Sequence, residues 1–196
     1  KKKLKKNRRS LAALRELAIQ SAQVGRHEDA IRLWKEYLKL QPHSDEAQIN
    51  LGSAYWNCKH YREAAHCAQK ALRLNPASKE AKFNLAIAIL MSGRAGEAQS
   101  ILQGLLEEHR DYPAARFMLC VAGACVGDAG QVEAQIAKIQ ATALGPYLGE
   151  SFLDVAKRFF SSSQLDYARL SLETAVAHNY GNAEIFSLLE DIRAAA

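Results

Sequence analysis

The chain has 196 residues, 48% hydrophobic and 24% charged, the balance of a folded domain or a short solenoid and not of a disordered segment. Four Pro and 11 Gly are too few for a turn-rich all-β chain, and no apolar run approaches the ~20 residues of a membrane-spanning helix. The formal charge is +5, from 26 Lys and Arg against 21 Asp and Glu, but seven of those cations fall in the first nine residues and the remaining 19 face all 21 acids.

That opening stretch, KKKLKKNRR, carries Lys1, Lys2, Lys3, Lys5, Lys6, Arg8 and Arg9 and no acid. Residues 1–10 read as a basic leader, and its start at Lys1 without Met leads us to expect that an upstream segment was removed. It is not a signal peptide, because Arg15 and Glu16 interrupt the apolar stretch that follows. Three readings stay open: a solvated, frayed helix start; a juxtamembrane segment that meets an anionic membrane surface; and a nucleic-acid arm. The last is poorly supported, since the run has no aromatic residue to stack on bases and the body of the chain is mildly acidic.

After residue 10 the sequence repeats every 34 residues. Ala30, Ala64 and Ala98 open the phrases AIRLW, AAHCA and AQSIL; Val132 follows after another 34, and Ala168 after 36. Pro42 and Pro76, in LQPHS and LNPAS, are also 34 apart. The frame is 11–44, 45–78, 79–112, 113–146 and, after a two-residue insertion, 149–182. Each unit reads as two helices, the first closing at a residue suited to left-handed backbone: Gly25, Lys59, Gly93, Gly127 and Ser163. Small residues at Ala18, Gly52, Ala86, Cys120 and Ala156 let the two helices of a pair approach. Trp34, Leu102 and Leu172 fill the gap toward the next pair. Residues 183–196, with Ile185, Leu189 and Ile192, read as a capping helix over the end of the stack.

These positions resemble the tetratricopeptide repeat (TPR) family, whose units run Leu–small, aromatic, Ala, large, Pro. Leu51-Gly52, Tyr55, Tyr61, Ala64, Ala71 and Pro76 match best; Leu17-Ala18, Ala30, Trp34, Tyr37 and Pro42 follow, then Leu85-Ala86, Gly93, Ala98 and Leu102. The resemblance implies an all-α, right-handed α-solenoid of about five helix pairs plus a C-terminal capping helix.

The residues carry no catalytic constellation: there is no Gly-rich phosphate loop, GxSxG elbow or HExxH, so no enzyme activity and no cofactor are expected. Cys58, His60, His66 and Cys67 cluster without a standard zinc spacing, so no metal is expected there either. Four Cys without a CxxC pair are not a secreted disulfide framework, and a cytoplasmic compartment is the expectation.

In TPR solenoids the first helices line a concave groove. The resemblance places Ile49, Trp56, Phe83, Ile87, Leu90, Met91, Phe117, Met118 and Val121 on that wall, about half of them expected to pack against neighbouring repeats. It does not place a clamp for acidic chaperone C-terminal tails there, because Ile19 and Glu80 stand where the clamp needs an amide and a cation. The expected function is a non-enzymatic protein–protein interaction scaffold binding an apolar helix or peptide in the groove. The layout resembles the cytoplasmic part of a membrane-tethered component of bacterial secretion or polysaccharide export. Two alternatives stand beside it: a regulatory or targeting appendage of an enzyme domain lying upstream, and a self-associating homo-oligomer.

Overall fold

The computed structural model describes residues 2–140 and 145–195, with side chains from residue 10 onward except at Pro146. The basic side chains of the leader, Lys1–Arg9, therefore lie outside the described residues. The chain is built from α1 (Lys2–Gln23), α2 (His27–Leu40), α3 (Asp45–Asn57), α4 (Tyr61–Leu74), α5 (Lys79–Leu90) and α6 (Ala95–Glu108). It continues with α7 (Pro113–Val126), α8 (Ala129–Gln140), a 3-10 turn (Gly145–Tyr147), α9 (Leu148–Ser161), α10 (Leu165–Ala177) and α11 (Ala183–Ala195). No strand occurs among the described residues.

Local chemistry sets where these helices begin and end. Ser44 and Ser78, each two residues after the repeated Pro, accept from the backbone N–H of Ala47 (3.1 Å) and Ala81 (3.2 Å) and so cap α3 and α5. Asn182 caps α11 in the same way through Ile185 N–H at 2.9 Å. All five closing residues named from the sequence adopt positive φ: Gly25 at 77°, Lys59 at 61°, Gly93 at 80°, Gly127 at 79° and Ser163 at 58°. Each makes the paired closing bonds of a left-handed cap; at the first, Gly25 N–H donates to Ala22 O (3.1 Å) and Arg26 N–H to Ser21 O (2.8 Å). Asn179, at φ 65°, closes α10 likewise.

The chain divides into two compact units, Lys1–Ala88 and Ile89–Ala196. In the first, α1 packs on α2, α2 on α3 and α3 on α4. Its core gathers Ala18, Ala30, Trp34, Ala47, Leu51 and Ala54, with the Trp34 ring edge-on to Tyr37 at 5.6 Å. At Gly52 the two helices of a pair come close: a Cβ there would lie 3.3 Å from Cys67 Cβ and 3.4 Å from Ala64 O, tighter than an ordinary contact.

In the second unit α6 packs on α7, α7 on α8 and α9 on α10. Leu102, Leu105, Leu119, Phe152, Phe159 and Leu172 fill its interior. Here the order of neighbours changes, because α10 also lies against α7, the first helix of the preceding pair. The final helix, α11, packs on α10 and α9 through Ile185, Leu189 and Ile192. The architecture is all-α, helix pairs of a solenoid plus a C-terminal helix, and no helix of the described residues is long and apolar enough to cross a membrane.

Candidate functional site

The nine apolar residues assigned to the groove divide into two groups. Ile49, Trp56 and Phe83, all in the first unit, are half-buried. On α3, Ile49 and Trp56 share a face with Asn50, Ser53 and Asn57, because three- and four-residue steps return to the same side of a helix. The polar members are held in place locally. Asn50 Nδ2 donates to Glu46 O (3.0 Å), Asn57 Nδ2 to Ser53 O (2.9 Å), and Asn84 Nδ2 of α5 reaches Ser53 Oγ (3.4 Å). The Trp56 ring leans on Tyr61 with centroids 5.2 Å apart, which fixes its orientation.

One cation on this wall is already engaged. Arg15 of α1 donates from Nε to Glu46 Oε1 of α3 at 3.1 Å, and a second guanidinium N–H reaches the same oxygen. Hydrogen bonding and the Glu46 charge raise the Arg15 pKa further. With Arg15 paired and Glu80 at the place of a clamp cation, the wall offers a ligand carboxylate little to hold.

Ile87, Leu90, Met91, Phe117, Met118 and Val121 are in a different state: none is more than 9% exposed. For these six the groove assignment needs correcting, since they do not line an open wall. In the second unit the physical reason is the seating of α10 on α7. From α10, Ser171 and Leu172 are fully buried in this interior, and α9 adds Phe152, which meets Phe117 edge-on at 5.1 Å. The turn before α10 is tied to the turn after α5: Gln164 Nε2 donates to Met91 O, and the Tyr167 hydroxyl donates to Gly93 O at 3.0 Å. A sequence signal for this existed. From Phe117 to Val126 the α7 sequence holds no charge, and a helix apolar on every side is one covered on every side.

Two of the four cysteines, Cys67 and Cys120, are buried, and Cys58 and Cys125 are partly exposed. Burial pushes Cys67 up to about 11 and both Cys120 and Cys125 up to about 12, and for fully packed Cys67 and Cys120 this is the behaviour of inert core thiols. Cys58 is also raised, by burial and by its bond to Glu28, while His60 lies against the Tyr55 ring at 6.0 Å. Among the described residues no three His, Cys, Asp or Glu side chains converge on a point that could hold a metal.

Models of the tetratricopeptide repeat match residues 16–57 and 59–120, together more than half of the chain. No curated protein matches the sequence. Among solved structures, YrrB, a TPR protein with an unusual peptide-binding site, is similar at 19% identity and TM-score 0.61, covering 89% of each chain. MamA from Desulfovibrio magneticus RS-1 is similar at 17% identity and TM-score 0.65, over 95% of this chain and 96% of that one. The first TPR of Spaghetti (RPAP3), bound to the HSP90 peptide SRMEEVD, is similar at 19% identity and TM-score 0.58, over 61% of this chain and 94% of its own. At these identities the likeness shows the fold. The chain is a member of the tetratricopeptide repeat family.

Proposed function

We propose that this chain is a non-enzymatic protein–protein interaction scaffold that holds an apolar-anchored peptide on the first-helix wall of residues 1–88. The observation that carries the reading is the interleaving of half-buried Ile49, Trp56 and Phe83 with Asn50, Asn57 and Asn84. Each of these amides spends one N–H locally and keeps capacity to bond the main chain of an extended segment. The apolar rings between them take its side chains. The reading narrows the groove to the first unit, because the corresponding wall of α7 is filled by α10.

The test is selection of a random peptide library on the immobilised chain, followed by affinity measurement on the enriched peptides. Enriched peptides carrying bulky apolar side chains are expected. Trp56→Ala with Phe83→Ala should weaken them at least tenfold, since each lost anchor is worth roughly 1.5–3 kcal/mol. No enrichment, or binding indifferent to both substitutions in a variant that keeps wild-type circular dichroism, contradicts the site.

A further inference from the structure

The outer side of the first unit carries a second cleft, between α2 and α4 and floored by α3. Its volume is about 780 Å³. Gln48, Leu51 and Tyr55 reach it from α3, on a face roughly 120° round the helix from Ile49 and Trp56 at about 100° per residue. Leu51 and Cys67 are its buried floor, and Leu38 and Tyr55 are half-buried walls.

The rim is basic. Lys35 and Lys39 stand on α2, and Arg62 and Lys70 on α4, all exposed; the only acid in the lining is Glu63. Lys35 Nζ lies 5.3 Å from the Tyr55 ring centroid, which holds one ammonium over the apolar floor. Lys39, Arg62 and Lys70 form no ion pair among the described residues, whereas Arg32, further back on α2, is paired with Asp29 at 3.0 Å. Four cations around an apolar depression thus occur in a chain whose charge beyond the leader is acidic.

We infer that this cleft docks an acidic peptide segment carrying one bulky apolar side chain. The side chain enters between Leu38 and Tyr55 and rests on Leu51, while flanking carboxylates meet Lys35, Lys39, Arg62 and Lys70. Charge complementarity selects the occupant: an apolar peptide without acids leaves the rim unanswered, and a nucleic acid leaves the apolar floor unanswered. This site is separate from the inner wall, and its partner differs in chemistry.

The experiment is fluorescence anisotropy of the full chain with a labelled peptide of Glu and Asp residues around one central Phe. Two comparison probes are the same peptide with Ala for Phe and a labelled single-stranded oligonucleotide of equal length. Saturable binding of the Phe peptide is expected in the micromolar range. It should weaken at least fivefold with the Ala peptide and progressively as NaCl rises from 50 to 300 mM. Lys35→Glu with Lys70→Glu should weaken it at least tenfold, and Lys70→Glu alone about threefold. These side chains are exposed, so the variants keep the wild-type circular dichroism, and Trp56→Ala with Phe83→Ala should leave binding unchanged. Absence of saturable binding, insensitivity to the charge reversals, loss through the inner-wall variant, or tighter binding of the oligonucleotide would each overturn the assignment.

Discussion

Phe83 and Phe117 occupy equivalent places 34 residues apart, yet the first is half-buried and the second is closed in against Phe152. The difference decides what a substitution does. Placing a carboxylate at 117 puts an unpaired charge into a packed interior, so Phe117→Asp should destabilise the chain by about 4 kcal/mol or more. Phe117→Ala should cost about 3–5 kcal/mol through lost burial and the cavity left behind. Urea denaturation followed by circular dichroism reads both; a loss below about 1 kcal/mol for Phe117→Asp contradicts the burial. At this scale the sequence was informative about chemistry and silent about exposure. The small residues at the helix contacts, Ala18, Gly52, Ala86, Cys120 and Ala156, were legible because only a small side chain lets two helix backbones approach, and all five are buried. The groove residues were not, because Phe, Met and Val serve a binding wall and a core equally well.

Helix ends were the most legible elements. A repeat of fixed length brings each closing residue back at the same interval, and left-handed backbone narrows the residue types that fit. Gly25, Gly93 and Gly127 meet that demand without strain, whereas Lys59 holds φ 61° against its own Cβ. Lys59→Gly should therefore raise stability by about 1 kcal/mol, and Gly25→Ala should lower it by about as much, since nothing crowds Gly25 and only its φ of +77° is at issue. Shifts of the urea midpoint in opposite directions are the expected result. A lower midpoint for Lys59→Gly would mean that its side chain contributes more than the strained backbone costs. Asn179 escaped notice because it closes a second helix, and the second helices α2, α4 and α6 end instead on Gln41, Asn75 and His109 with negative φ, so no interval marks the place.

For each unit as a whole, periodicity specifies helix pairs and leaves open which pair covers which face. In the first unit, successive helices pack in sequence order and leave Ile49, Trp56 and Phe83 half-buried on the first-helix side. In the second, α10 reaches past its own pair onto α7, tied by Gln164 to Met91 O and by Tyr167 to Gly93 O. Those contacts join residues more than 70 positions apart, beyond the reach of a 34-residue repeat. The trace they left in the sequence was indirect: the uncharged run through α7, which demands cover from some element without naming it. The wall proposed for residues 1–88 is open where that of α7 is covered by α10, and Cys125, at the end of α7 with Ser171 of α10 beside it, reports on that cover. The measurement is iodoacetamide labelling of the folded chain at pH 8, with each cysteine quantified by peptide mass spectrometry. Cys58 should be modified first, and Cys125 should react at least tenfold more slowly until urea unfolds the chain. Modification of Cys125 as fast as Cys58 in the folded protein would contradict the covering of α7 by α10, and with it the confinement of the binding wall to the first unit.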